Sequence, residues 1–287
     1  QDRCLFLFGP GRSGKSTALS LLTEMVGPDA SSSVTLHQLA SDRFVAAQMA
    51  GKALNVAADL SSDMVSDSST FKMLTGGDTL TVQAKFERPF SMRWRGLMAF
   101  SANEVPRMAG DVEAELARIV PIACPLSFQG EEDEQLTARL HAELPGLLVE
   151  LVKRHQRGPM PEPLPVVVER FRSDVDRVST FIEHATAPCD YSEGLIRKDL
   201  HDAFRLWLFK NGYGAAMPTT AFYKRLQGMG LDPQKVGNDW RCPIKVLSEK
   251  EQESYTDPYD AWVEGLRTHL PGALQGTHTS TRDGKKG

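Results

Sequence analysis

The sequence predicts an α/β fold: a parallel sheet with flanking helices, followed by a smaller domain of three helices and a hairpin. Three features carry this. The chain opens on an apolar run of strand type, Cys4-Leu5-Phe6-Leu7-Phe8, then a glycine-rich turn, then a Thr17–Met25 segment with helical spacing of its apolar positions. Further buried-type runs recur at Ala53–Ala58, Leu97–Ser101 and Arg118–Ala123. Gly158-Pro-Met-Pro-Glu-Pro-Leu-Pro165 then places four prolines in eight residues, a composition that separates domains.

Taken in order, the pattern adds a strand at Val34–Leu36, a helix around Ser41–Ala50 and a helix over Asp67–Leu74 ended by Gly76-Gly77. Thr79–Phe86 and Phe90–Trp94 read as two extended arms around a turn at Glu87-Arg88-Pro89. Glu131–Arg157 reads as helical, with Pro145 as the expected break. Beyond the prolines, Val166–Ala187, Glu193–Lys210 and Thr219–Gly228 read as helices, and Lys235–Val236 with Trp240–Val246 as a small hairpin. Three helices and a hairpin are the layout of a winged helix-turn-helix. The expected domains are therefore residues 1–158, a linker at 159–165, a winged-helix-like domain at 166–250 and a partly disordered extension at 251–287. The abrupt opening on a strand, with Gln1 in first place, reads as a piece of a longer protein.

Composition narrows the function classes. The chain has 287 residues, 41% of them hydrophobic, and a formal net charge of −4. That is enough chain to bury a core without staples and too apolar for a disordered protein. No apolar run reaches the roughly 20 residues of a membrane span, and no signal-peptide layout opens the chain, so a cytoplasmic protein is expected. Cys4, Cys124, Cys189 and Cys242 are far apart and form no CxxC pair, which favours reduced thiols and argues against a zinc site. Charge is uneven: residues 192–248 carry nine bases against five acids, and residues 111–165 carry ten acids against five bases. A basic segment on an acidic chain points to a polyanionic partner for the second domain.

Gly9-Pro10-Gly11-Arg12-Ser13-Gly14-Lys15-Ser16 satisfies GxxxxGK[ST], with Thr17 next, and it sits between a strand and a helix, the context that confirms such a match. Glycines let backbone N–H groups close around phosphate oxygens, and the helix N-terminus adds partial positive charge. Lys15 would reach the β- and γ-phosphates and Ser16 would offer a hydroxyl to Mg²⁺. Such chemistry needs an acid at a neighbouring strand end, and Leu54-Asn-Val-Ala-Ala-Asp59 supplies Asp59 there.

Three later landmarks complete the pattern: Lys72-Met-Leu-Thr-Gly-Gly-Asp78, the Lys85-Phe86 arm, and Ser101-Ala-Asn103-Glu-Val-Pro106. In this order and spacing the first 125 residues resemble superfamily 3 helicases, in particular the ATPase half of phage and plasmid primase–helicases, and the region beyond the prolines resembles their winged-helix module more loosely. The resemblance implies an AAA+-like P-loop NTPase fold and an ATP hydrolase that unwinds DNA with ATP and Mg²⁺. It implies Asn103 as the strand-end amide that contacts γ-phosphate and attacking water, being both donor and acceptor. Lys85 and Phe86 correspond to the hairpin tip that follows a DNA strand, a cation for phosphate beside an aromatic for stacking. Arg118 corresponds to the arginine finger supplied to an adjacent subunit, with Arg107 as the competing choice. Lys224, Arg225 and Arg241 would be the DNA-facing bases of the winged helix, while Tyr191, Leu200, Phe204, Trp207 and Leu208 have the spacing of packing residues. Implied partners are single-stranded and fork DNA, further copies in a ring that would be a hexamer, and a primase domain N-terminal to this region in the parent protein. The implied setting is a bacterial host cell with a phage or prophage origin.

Two other readings stay open on the residues. One is an ATP-regulated replication initiator without processive unwinding. The other is a P-loop kinase or switch, which leaves the basic hairpin and trailing domain unexplained.

Overall fold

The computed structural model describes residues 3–106, 112–131, 133–158, 162–211, 213, 217–248, 251–252 and 257–269. They form two compact units: one from residues up to Val175 joined by those from Pro258 on, the other Asp176–Asp257.

In the first unit the elements run β1 (Cys4–Phe8), α1 (Lys15–Val26), β2 (Ser31–Ser32), α2 (Leu36–Ser41), β3 (Leu54–Ala57), α3 (Ser69–Gly76), β4 (Thr79–Val82), β5 (Phe90–Arg93), β6 (Leu97–Ala102), α4 (Val112–Leu116), β7 (Ile119–Ala123), α5 (Leu136–Arg157) and α6 (Pro165–Val175). Five strands make one sheet in the order β2-β3-β6-β1-β7, every pair parallel. Parallel sheets are covered on both faces, which is why β1 is apolar throughout. Its alternation divides the work. Cys4, Phe6 and Phe8 face the larger core, where Phe171 of α6 meets Phe6 and Phe8 edge-on at 5.1 and 5.3 Å. Leu7 turns to the other face and packs with Leu19 of α1 and Ala99 of β6. The helix Pro258–His269, here α10, returns to this unit and stacks Tyr259 on Phe8 at 6.4 Å. This is the mixed α/β architecture of a P-loop nucleotide-binding fold, a parallel sheet between helices, with the β4–β5 hairpin inserted between β3 and β6.

Several expected elements shift for identifiable reasons. Val34–Leu36 is not a strand. Buried Asn55 of β3 takes both backbone groups of Val34, accepting its N–H at 2.8 Å and donating to its carbonyl at 2.8 Å. A side chain thus replaces the ladder, and Thr35 then opens α2 with a capping box to Gln38. In place of the expected Ser41–Ala50 helix, α2 ends at Ser41 and a 3₁₀ turn covers Val45–Met49, with the Asp42 carboxylate accepting the Phe44 N–H at 2.8 Å between them. α3 stops where expected, with Gly77 left-handed at φ 68°. α5 runs unbroken through Pro145.

The division between units also differs from the expected linker at 159–165. α6 belongs to the first unit through Phe171, and the chain passes to the second at Asp176. Asp176 splits the expected 166–187 helix: its carboxylate accepts the Ser179 N–H at 3.3 Å and so starts a new helix. The expected extension at 251–287 likewise contains α10 of the first unit, and residues 270–287 lie outside those described.

The second unit runs α7 (Arg177–Ala185), β8 (Thr186–Pro188), α8 (Arg197–Lys210), α9 (Thr219–Gly228), β9 (Gln234–Val236), β10 (Asp239–Arg241) and β11 (Ile244–Val246). β9 and β10 form an antiparallel hairpin around Gly237-Asn238, with Gly237 at φ 61°. The expected single arm Trp240–Val246 is cut at Cys242-Pro243, and β11 pairs instead with β8. Leu200, Phe204 and Leu208 are fully buried with Phe181, Phe222 and Leu226, and Trp207 packs against them, as the spacing predicts.

Phe171 is the largest single anchor of α6 on the sheet. Phe171→Ala is expected to destabilise the chain by about 3–5 kcal/mol, the range for a buried aromatic, read as a lower denaturant midpoint.

Candidate nucleotide-binding site

The loop between β1 and α1 is shaped by backbone conformations that side chains resist. Gly9 has φ 143°, and a Cβ there would overlap the carbonyl of Cys124. Arg12 and Gly14 are left-handed at φ 61° and 83°. Gly14 is also the N-cap of α1 and provides no side-chain cap, so the first amides of that helix have no side-chain acceptor at its start. The exit of β7 braces the loop from outside. The Cys124 N–H donates to Phe8 O at 2.7 Å, Ser127 Oγ to Gly11 O at 2.8 Å, and the Phe128 N–H to Arg12 O at 3.0 Å.

Lys15 is 4% exposed. Its ammonium donates to Gly9 O at 2.9 Å, Pro10 O at 2.6 Å and Ser13 Oγ at 3.0 Å. Burial pulls its pKa below the ordinary lysine value, against the pull of Cys124 and Asp59 in the other direction. The Cys124 thiol is pushed up by burial and partly restrained by Lys15.

Asp59 follows β3 in a left-handed conformation, φ 51°. Ser101 of β6 sets this turn: its Oγ accepts the Asp59 N–H at 3.3 Å and its carbonyl the Leu60 N–H at 2.8 Å. Asn103 leaves the end of β6 two residues later. The residues Gly11 to Thr17, Asp59 and Asn103 line one cavity of about 400 Å³. The residues expected to cooperate at a triphosphate therefore meet at the carboxyl edge of three adjacent strands, β3, β6 and β1.

The donor set suits a hard cation bound with phosphate. Ser16 supplies a hydroxyl and Asp59 a carboxylate, and among the described residues no group of three or more His, Cys, Asp or Glu could hold a metal alone. A Mg²⁺ ion would draw its remaining oxygens from phosphate and water, its usual habit in such sites.

The other expected residues lie elsewhere. Lys85 and Phe86 sit at the tip of the β4–β5 hairpin. Leu80, Val82 and Met92 bury its base, while Phe86 is 93% exposed with the Lys85 ammonium 5.2 Å from its ring centre. Arg118 precedes β7 at the amino edge of the sheet, its carbonyl accepting the Cys4 N–H and its guanidinium donating to Ala114 O. A five-residue strand at about 3.3 Å per residue separates it from the carboxyl edge, so it does not face its own chain's cavity. Arg107 lies outside the described residues.

In the second unit, Lys224 is exposed on α9. Arg225 is ion-paired with buried Asp176, and Arg241 donates to Gly194 O at 2.8 Å. Both therefore have partners within the second unit. Tyr191 donates to Asp232 O at 3.0 Å and lies outside the core cluster that takes Leu200, Phe204, Trp207 and Leu208.

Sequence reasoning missed Ser101, Cys124, Ser127 and Glu115. Ser101 left one signal, a hydroxyl in an otherwise apolar strand. Glu115 left none: it is fully buried, accepts from Ser68 Oγ, and lies 3.4 Å from Lys72 of the Lys72–Asp78 segment.

Fold and loop together are those of the P-loop nucleotide-binding architecture. Residues 7–118 match the model of a family of unknown function, DUF5906, a stretch that takes in the loop, Asp59, the hairpin and Asn103. No curated protein matches the chain. Among solved structures it is similar to the apo C-terminal region of NrS-1, at 11% identity and TM-score 0.45, covering 84% of this chain and 66% of that one. An apo structure of NrS-1 residues 305–718 gives 12% and 0.44 over the same shares. A JCV helicase gives 17% and 0.35, covering 62% of this chain and 52% of that one. The chain thus spans about two thirds or less of the length of these structures.

Because Gly9 has no room for a methyl group, Gly9→Ala is expected to displace the loop from Cys124 and weaken binding of a fluorescent ATP analogue roughly tenfold or more, the cost of misplacing several phosphate donors at about 1 kcal/mol each. Equilibrium titration checks this.

Proposed function

We propose that the chain is the ATP-hydrolysing motor of a DNA helicase, the C-terminal part of a phage-type replication protein acting as a ring, with the β4–β5 hairpin as its DNA-tracking element. The observation that carries the reading is the convergence of Lys15, Ser16, Asp59 and Asn103 on one cavity beside the uncapped start of α1. The exposed Lys85-Phe86 tip favours a polynucleotide over a small phosphate acceptor.

In this reading the loop amides and Lys15 bind the β- and γ-phosphates. Ser16 and Asp59 would hold Mg²⁺, which when bound would neutralise charge on those oxygens. Asn103 donates to a γ-phosphate oxygen and accepts from the attacking water. The water oxygen bonds to the γ-phosphorus as the bond to the β–γ bridging oxygen breaks. Arg118 comes from a neighbouring copy and stabilises the charge on the transferring group. Hydrolysis at the subunit junction moves the Lys85 hairpins along one strand.

ATP turnover with and without single-stranded DNA tests the motor. DNA is expected to stimulate turnover, Lys15→Ala to lower it by roughly 10²-fold or more, and Lys85→Ala to remove the stimulation and strand separation. Turnover indifferent to DNA in the wild-type chain sinks the motor reading.

The trans role of Arg118 has its own check. Arg118→Ala and Lys15→Ala are each expected to be inactive alone, while their mixture regains part of the wild-type rate, because the second supplies arginine to the first. A mixture as inactive as its components would place the finger elsewhere.

A further inference from the structure

The second unit contains a groove of about 610 Å³ between the first turns of α8, the start of α9 and the β9–β10 hairpin. Arg197 and Arg205 lie eight residues apart on α8 and so share one face of the helix, with Lys198 beside them. All three side chains line the groove. Arg197 is fixed in place. Its guanidinium lies over the buried Tyr223 ring at 4.2 Å, and the Tyr223 hydroxyl donates to the Arg197 carbonyl. A guanidinium held by its face keeps in-plane N–H groups suited to a phosphate fork. Lys198 is exposed and has no partner among the described residues.

The opposite wall is Trp240 at the middle of β10, 52% exposed. A large aromatic left half in water on a three-residue strand, across a groove from three cations, is the pairing that single-stranded nucleic acids use: cations along the backbone, a ring for a base. Two acids line the groove as well. Asp202 lies 3.7 Å from Arg205, and Asp239 lies 3.9 Å from Arg241. Arg205 thus shares its charge with Asp202, Arg197 and Lys198 make the most positive end, and the two acids provide acceptors for base amino groups. The face of α9, by contrast, keeps Lys224 exposed while Arg225 is drawn back to Asp176.

We infer that this groove binds single-stranded nucleic acid, with phosphodiesters on Arg197, Lys198 and Arg205 and one base stacked on Trp240. Its volume is in the range of small-molecule pockets, room for a short unpaired stretch. A duplex keeps its bases stacked on one another and offers Trp240 no free face. The site lies wholly in the second unit and goes beyond the nucleotide pocket, on which it does not depend.

The test titrates a fluorescein-labelled oligothymidylate, roughly 15 residues to cover one binding module, with the full chain in nucleotide-free buffer. Anisotropy is followed at several salt concentrations, in the wild-type and in a Lys85→Ala background so that the hairpin is read separately. The expected result is affinity that falls linearly with log salt. Lys198→Glu with Arg205→Glu should weaken binding about tenfold or more, since each phosphate contact contributes to that term. Trp240→Ala should cost about fivefold, the lower end for one stacked base, and Trp240→Phe should recover most of that loss. Lys224→Glu is expected to change affinity by less than about twofold, as for a residue outside the contact.

Affinities unmoved by the α8 and Trp240 substitutions in the Lys85→Ala background would overturn the inference. So would a larger loss from Lys224→Glu, tighter binding of a matched duplex, or displacement of the oligonucleotide by polyglutamate at equal charge. ATP turnover measured alongside keeps the two readings apart. Groove binding without turnover sinks the motor and leaves the groove; DNA-stimulated turnover without groove binding does the reverse.

Discussion

A backbone contact that tolerates no side chain holds the candidate nucleotide pocket together. The α-carbon of Gly9 lies against the Cys124 carbonyl, and the Cys124 N–H reaches back to Phe8. The β1–β7 pairing therefore continues past the strand ends into the loop. Ser127 and Phe128 extend it by taking Gly11 and Arg12. A loop held this way has already lost most of its conformational freedom, so a bound triphosphate does not have to offset the entropy of ordering it. The edge strand β7 thus shapes the loop without lining the cavity.

The same pocket carries a stability cost. Lys15 is a buried cation whose pKa is lowered by desolvation, so its protonated form is less favoured in the folded chain than in the unfolded one. With a folded value below the unfolded value, the penalty is fully present at pH below both and fades as pH rises through the folded value. Three oxygens from the loop partly compensate it. Stability alone favours an apolar residue here, whereas an anion entering the cavity favours the cation. That conflict between local stability and site chemistry marks a functional position more firmly than the glycine pattern does.

Most of the first unit was legible in the sequence because its signals are local. An apolar run into a glycine loop and an amphipathic helix can be read residue by residue, and so can the strands ending at Asp59 and Asn103. What was illegible depended on side chains acting as backbone partners over long sequence distances. Asn55 removing Val34 from the sheet is one case, and Asp176 splitting a continuous helical pattern into two helices in two units is another. The second unit followed its hydrophobic spacing closely, but its cations did not. Arg225 and Arg241 look like surface bases in sequence, and only the fold shows Asp176 and Gly194 O holding them.

The two ends of the sheet have different tasks, and α4 connects them to the hairpin. The cavity opens at the carboxyl edge and Arg118 stands at the amino edge, so this guanidinium does not face its own chain's cavity. Arg118 is anchored to α4 through Ala114, and α4 is anchored to α3 through Glu115, which meets Ser68 and Lys72. α3 in turn runs directly into the hairpin through Gly76 and Gly77, where the Gly77 carbonyl accepts from Arg93 of β5 at 2.7 Å. Glu115 keeps this link at a cost, since its second carboxylate oxygen is fully buried without a partner among the described residues. A buried acid retained on those terms fixes the spacing between the arginine and the hairpin base. Displacing one therefore strains the other.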